Sequence, residues 1–288
     1  MLFGISTFLT DVTETGEPAV RPAELAKAVE ERGFESLLTA EHTHMPARPT
    51  PWPGGDAPIP AFFRYTYDPF VALSMAAAAT RRLRVGTGVT VLTQRDPILL
   101  AKEAATLDVL SGGRLILGIG AGWHRIEVRN HGVDPKRRFG VMRERARVLR
   151  RIWTEELPEF HGEHVDFDAM YSFPKPVQRP HPPILLGGWS ENVYGRVLDY
   201  ADGWLSPPEW GVEEVTGPAG RLREQAAERG LPEPQINFFL NSLDSGDLEK
   251  AAEIRPRRIL FSLSPMVRDD ALRRLDELAE FMAGHNDF

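Results

Sequence analysis

The chain has 288 residues, 42% of them hydrophobic and 26% charged, and its 34 basic against 41 acidic side chains give a formal net charge of −7. This balance argues against a nucleic-acid polyanion as the main partner, and the absence of cysteine excludes disulfides, thiolate metal sites and cysteine nucleophiles. The longest apolar run, around residues 70–79, is far shorter than the ~20 residues that span a bilayer, and the amino terminus lacks the basic flank of a secretory signal, so a cytoplasmic protein with no membrane role is expected.

Short apolar segments rich in Val, Ile, Leu or Phe read as buried strands at residues 2–8, 36–39, 83–91, 114–119, 184–187, 203–205, 235–240 and 258–262. Helical periods lie between most of them. Leu25, Ala26 and Val29 share a face that ends at Gly33. Pro97 opens a run through Ala101, Ala104, Ala105 and Leu107 that stops at Gly112, with proline at the start and glycine just past the end as helices prefer. Met142, Ala146, Leu149 and Trp153 form the next apolar stripe, followed by Val193, Val197 and Ala201, and finally by Ala271, Leu275, Leu278 and Met282. Eight buried strands alternating with helices predict an α/β fold, a single (β/α)8 TIM barrel over residues 1–288, because eight such units are what closure requires.

Two insertions interrupt this rhythm, one after strand 2 and one before strand 5. Residues 43–67 hold six prolines and the aromatics Trp52, Phe62, Phe63, Tyr65 and Tyr67, and residues 155–183 hold six more prolines. Long ordered loops in compact domains usually carry function, and the first lies on the C-terminal face where barrel enzymes keep their chemistry, so it reads as a substrate lid. An ordinary Pro-rich surface loop is the alternative.

Strand 2 exits through Glu41-His42-Thr43-His44. His42 is placed to donate a proton or hydrogen bond at the barrel mouth and Glu41 to orient a ligand, although a lone strand-end histidine often does no more than bond a neighbour. His42 and His44 also spell the HxH pair of metal-dependent barrel hydrolases, but the further ligands such a site needs are missing from the later strand ends, so no metal is expected. Strand 3 carries Gly86 and Gly88 inside a β-branched run, which marks a bulge, a close ligand approach or a crowded barrel corner. Strand 4 ends in Gly118-Ile119-Gly120-Ala121-Gly122-Trp123, where Trp123 spoils a dinucleotide fingerprint and the low bulk leaves room for a flat ring. Strand 5 runs through Gly187-Gly188 toward Ser190, read as a helix N-cap, and suits either a phosphate or an ordinary turn.

Together, Ala40-Glu41-His42, Thr87-Gly88-Val89-Thr90, the block from Ala101 to Trp123 with Glu127, Pro183 to Gly188, and Ala201-Asp202-Gly203-Trp204 resemble the luciferase-like monooxygenase family, barrels that use FMN or the deazaflavin coenzyme F420. The resemblance implies a bulge with a non-prolyl cis peptide at Gly88–Val89 behind the ring, His42 beside the ring, and a phosphate-binding turn at Gly187, Gly188 and Ser190. Thr87, Gly120, Ala121 and Gly122 complete the expected cofactor-binding set. Trp123 stands where the family's sugar-phosphate dehydrogenases carry glutamate, so a small apolar or aromatic substrate lined by Trp52, Phe62, Phe63 and Trp123 is expected instead. The 29 arginines against 5 lysines and the compact core block resemble the F420 branch, with FMN as the alternative. The expectation is a homodimeric F420-dependent oxidoreductase. An FMN-dependent monooxygenase, a metal-dependent hydrolase and a barrel without catalysis are its rivals.

Overall fold

The structure, a computed structural model, describes residues 1–47 and 59–285; Trp52 and the centre of the expected lid lie outside the described residues. In chain order the elements are β1 (Leu2–Thr7), α1 (Pro22–Glu31), β2 (Ser36–Thr39), α2 (Pro69–Ala79), β3 (Arg84–Val91), α3 (Pro97–Ser111), β4 (Leu115–Gly120), α4 (Arg125–Asn130), α5 (Arg138–Thr154), β5 (Phe160–His161), β6 (Asp166–Phe167), β7 (Ile184–Gly187), α6 (Asn192–Tyr200), β8 (Gly203–Leu205), α7 (Val212–Glu228), β9 (Gln235–Phe239), α8 (Ser245–Glu253), β10 (Arg258–Leu263) and α9 (Arg268–Ala283). Strands β1, β2, β3, β4, β7, β8, β9 and β10 pair in parallel and close on themselves, with β1 bonded to both β2 and β10. This is the (β/α)8 barrel expected, and every predicted strand is present within a residue or so of its predicted limits.

Closure separates two apolar layers. Inside the barrel, Leu38, Ile116, Leu185, Leu205, Phe239 and Leu260 meet around Val89. The larger layer lies between strands and helices, where Leu37, Val85, Leu117 and Phe238 face the stripes of α1, α3, α5 and α6. Alternation along each strand divides its residues between the two layers. Trp153 on α5 is buried and donates its indole N–H to the Ala101 carbonyl at 3.0 Å, tying α5 to α3. Asp96 caps α3 by accepting from the Leu99 amide at 2.9 Å, and Gly112 ends it in the left-handed region at φ 72°.

The 155–183 connection differs from the sequence expectation, because it contains the short antiparallel pair β5–β6. Its organiser is Glu144 on α5, whose carboxylate accepts amide bonds from Glu163 at 3.0 Å, His164 at 2.7 Å and Val165 at 3.1 Å. Two-residue strands carry no periodicity, so no sequence window could reveal them.

Barrel closure also demands close backbone approach at Gly118, where an added Cβ would collide with the Thr87 carbonyl of β3. A main-chain carbonyl cannot move aside as a flexible side chain can. Gly118→Ala is therefore expected to lose about 1–3 kcal/mol of stability, the usual cost of overpacking, whereas Gly195→Ala on α6, with open space around its Cα, is expected to gain about 0.5–1 kcal/mol. Denaturant midpoints of the two variants check the contrast.

Candidate active site

The segments that follow β1, β2 and β4 converge on His42. Its Nδ1 lies 2.9 Å from Glu127 Oε2, and both side chains are buried. The second carboxylate oxygen, Glu127 Oε1, accepts the Thr43 backbone N–H at 2.9 Å. Burial opposes the charge on Glu127, but the hydrogen bonds from His42 and Thr43 outweigh it and hold the carboxyl below its ordinary pKa. An ionised Glu127 takes the Nδ1 proton and leaves His42 Nε2 as the ring atom free to act, a tautomer inferred from the bonding. Glu127 sits in α4, whose N-cap His124 is buried and accepts from the Glu127 amide through Nδ1 at 3.2 Å. Burial also lowers the pKa of His124, which suits the neutral acceptor this cap requires.

Aromatic rings enclose the imidazole. Phe63 lies 5.0 Å from it between centroids, Trp123 5.6 Å away edge-on, and Phe8 6.4 Å away and nearly parallel. Phe62 packs on Phe8 and Phe63 at 5.3 and 5.1 Å, while Phe63 and Trp123 each contact the imidazole. The returning arm of the long connection is fastened to β1 and β2: Thr66 donates its hydroxyl to the His42 carbonyl at 2.8 Å, Tyr67 its amide to the Leu9 carbonyl at 2.8 Å, and Ala61 its amide to Glu14 at 2.9 Å. These bonds make the arm part of the wall beside His42. His44, the other member of the HxH pair, bonds Asn130 and Thr43 at 2.9 Å each and stands apart from the His42–Glu127 pair.

Glu41 takes a role different from the ligand-orienting one expected. Its carboxylate accepts from the Thr90 hydroxyl, from the Val91 amide at 2.7 Å and from Arg95 Nε at 2.7 Å, all within the protein. Arg95 also pairs with Glu103 at 3.1 Å, and its guanidinium lies 4.8 Å over the Phe70 ring. Glu41 is 3% exposed and fully engaged, so it positions the end of β3 and leaves the imidazole's partner to be Glu127.

The β3 bulge is present. The β3–β4 register shifts between Thr87 and Thr90, and the Gly88–Val89 peptide is cis. Gly88 and Val89 are half-buried between the fully buried Thr87 and Thr90. Thr87 is not at the mouth surface: it donates its hydroxyl to the Gly118 carbonyl at 2.7 Å inside the wall. The room left at Gly120 and Gly187 is used by the protein itself, since a Cβ at either would press on the Val89 methyls at 2.7 and 3.0 Å. Val89, rather than bare β4 backbone, is the apolar platform. Ala121 is buried and accepts the Thr93 hydroxyl at 3.1 Å, while Gly122 turns the chain into α4 at φ 80°.

After β7, Gly188 adopts φ 144° and its carbonyl accepts the Trp204 indole N–H at 2.8 Å, while Trp189 and Ser190 are exposed. The N-cap of α6 is Glu191 and not Ser190, and no side chain caps the helix; Ser190 contributes its carbonyl to the Val193 amide at 2.7 Å. An uncapped helix start beside a glycine turn leaves amide donors and the positive helix end facing outward. An apolar platform, an oriented imidazole and a glycine turn with exposed amides fit a flat ring that carries a phosphate.

Residues 1–283 match the luciferase-like monooxygenases, and the chain belongs to that family. It is 36% identical to an uncharacterized protein of Mycobacterium tuberculosis over 93% of this chain and 96% of that one. An F420-dependent glucose-6-phosphate dehydrogenase of Kineococcus radiotolerans is 30% identical over 84% of this chain and 68% of its own. An FMNH2-dependent dimethylsulfone monooxygenase of Pseudomonas putida is 33% identical over 60% of this chain and 48% of its own. Among solved structures, monooxygenase RslO1 of Streptomyces bottropensis superposes with a TM-score of 0.76 at 22% identity, covering 99% of this chain and 100% of that one. The family thus contains oxidoreductases that use F420 and others that use reduced FMN.

The depressed pKa of Glu127 has a sign in stability. Its folded value lies below the unfolded ~4.3, so the unfolded state binds more protons in that window, and the stabilisation present above pH ~4.3 is lost as pH falls through the folded value. Glu127→Gln is expected to be about 1–3 kcal/mol less stable than the native chain at pH 7, with the gap narrowing by pH 3. Urea midpoints at the two pH values measure it; a gap independent of pH would mean the carboxylate charge is not what binds His42 and Thr43.

Proposed function

We propose that the protein is an F420-dependent oxidoreductase that passes hydride between the deazaflavin and a small apolar or aromatic organic substrate. The observation that carries this reading is the buried His42–Glu127 pair, walled by Phe8, Phe63 and Trp123, together with the half-exposed Gly88–Val89 bulge of β3. F420 is preferred over FMN on the compact core block from Ala101 to Trp123, which resembles the F420 branch, and F420-dependent enzymes are among the relatives of the chain.

When bound, F420 supplies a two-electron hydride carrier, whereas FMN supplies oxygen activation. The protein's part is binding, orientation and proton handling. Val89 would support one face of a ring at the mouth, and the amides from Gly187 to Ser190 with the start of α6 would receive its phosphate. Glu127 accepts the His42 Nδ1–H, so that Nε2 of the neutral ring is left as the acceptor placed to take a hydrogen bond or proton from the reacting groups. Phe8, Phe63 and Trp123 keep water from that atom and offer apolar surface to the substrate. Glu41 acts at one remove, as the anchor of β3.

We also place the enzyme in the cytoplasm, in keeping with a cysteine-free chain, and pair it as a homodimer through α2 and α3. Helix α2 has one polar side chain, Ser74, within its limits, and Val71, Met75, Leu99 and Leu110 stand 65%, 52%, 57% and 81% exposed. A helix apolar on all sides is usually covered, and a second copy of this face is the occupant that satisfies both chains at once. Leu110→Glu is expected to shift the sedimentation coefficient from dimer toward monomer; an unchanged coefficient at micromolar concentration would place the interface elsewhere.

Titration of the apoprotein with F420 and with FMN, followed by absorbance, tests the cofactor. F420 is expected to bind at least tenfold more tightly, and the reverse order would make the protein an FMN enzyme. Gly188→Asp, which adds a side chain and a like charge at the turn, is expected to weaken cofactor binding at least tenfold, ~1.4 kcal/mol. His42→Ala is expected to keep cofactor affinity within about threefold while kcat falls ~10² to 10⁴-fold, the usual worth of a positioned acid or base. Normal turnover in His42→Ala would remove the imidazole from the reaction.

A further inference from the structure

The opposite end of the barrel holds a cavity of about 280 Å3 at the starts of the strands, lined by Arg84, Arg179, His181, Asp202, Arg257 and Arg258 among others. We propose that this basin binds a compact oxyanion of the phosphate class, at a site separate from the catalytic mouth. Arg84 and Arg258 are the first residues of β3 and β10, and Asp202 immediately precedes β8, so the basin belongs to the N-terminal face. From Pro183 in its wall to Gly188 at the cofactor turn the chain runs five extended residues, ~16 Å. One ligand of phosphate size cannot serve both places.

The charge balance favours an anion. Four guanidinium groups face one lining carboxylate, Asp202, with Glu35 behind them, on a chain whose net charge is −7. Glu35 is already engaged: Arg258 holds it through Nε at 2.7 Å and through a second nitrogen at 2.6 Å, and Arg258 also donates to Asn237 Oδ1 at 2.8 Å. Arg84 donates to Gln178 Oε1 at 2.7 Å, but its Nε is buried without a hydrogen-bond partner and lies 3.9 Å from the occupied Glu35. Arg257 is exposed with no ion pair among the described residues, and Arg179 makes one bond, to the Pro176 carbonyl at 2.8 Å.

His181 stands in the same wall, with its Nδ1 3.8 Å from Asp202. The residue is 6% exposed, its Nδ1 lies 2.9 Å from the Pro182 carbonyl, and its Nε2 is buried with no hydrogen-bond partner. Buried polar atoms are seldom left in this state, and here two of them, Arg84 Nε and His181 Nε2, belong to residues in the wall of one basin. Burial lowers the Arg84 pKa from its usual range; Glu35 opposes the fall, while Arg258 and Arg257 add to it. A phosphate oxygen among these groups relieves the crowding of like charges and gives the guanidinium forks the acceptor geometry they match.

The test uses the full chain and inorganic pyrophosphate as the probe, with chloride controls at matched ionic strength. Calorimetry is expected to show saturable binding of one pyrophosphate per chain, with a Tm that rises with its concentration. The double variant Arg179→Gln/Arg257→Gln, chosen because both residues are exposed and bear no fold contact beyond one carbonyl bond, is expected to weaken that binding at least tenfold. Gly188→Asp is expected to leave it unchanged. Absence of saturable binding, equal affinity in the double variant, or loss in Gly188→Asp with retention in the double variant would each overturn the proposal, the last by assigning the anion to the cofactor turn.

Discussion

One buried carboxylate, that of Glu41, decides where the third strand ends. Regular parallel pairing between β3 and β4 fails from Thr87 to Thr90, so the ladder itself does not hold the backbone around Gly88 and Val89. Glu41 supplies what the ladder lacks by accepting the Thr90 hydroxyl and the Val91 amide, and Arg95 neutralises it from the next turn of chain. Burial works against the Arg95 charge, yet Glu41 and Asp68 raise its pKa above the usual range, so the guanidinium keeps its charge. Such a pair adds little net stability, because desolvation offsets its attraction, but losing either partner leaves a bare charge in the wall. Its contribution is geometric.

The mouth follows from that anchor. With β3 held at Val91, the Val89 side chain stands in the space that Gly120 and Gly187 leave on the neighbouring strands. Gly188 then turns the chain outward, and Trp204 fixes its carbonyl. Across the mouth, Glu127 aligns His42, and the arm carrying Phe62 and Phe63 closes the aromatic wall. The groups that would touch a ligand thus rest on buried polar contacts with well-defined partners, the arrangement that keeps a site in place before a ligand arrives.

The two ends of the barrel hold opposite chemistry. Carboxylates at the C-terminal end are occupied with donors of the chain itself, while the N-terminal end gathers arginines around the single bidentate partner Glu35. Between them lies the layer of Leu38, Ile116, Leu185, Leu205, Phe239 and Leu260. That apolar layer fills the barrel interior and separates the two ends in space.

The fold was legible in the sequence because strands buried on both faces are written as continuous apolar runs, and eight such runs between helical stripes permit few other closures. His42 was legible for the same reason, being the ionisable ring just past a strand end, and the glycines of β3 announced the bulge by breaking a β-branched run. What the sequence did not show were partners. Glu41, expected to orient a ligand, turns instead into the wall toward Thr90 and Arg95, since neighbouring side chains on an extended segment point to opposite sides. The residue that meets the imidazole is Glu127, 85 positions away, brought there by the turn from β4 into α4. Thr87 fell inside the wall by the same alternation, and the space at Gly120 went to Val89 once the strands were packed. Local pattern determines which segments are buried and where strands end; which side chains meet there depends on distances between strands that exist only after the barrel has closed.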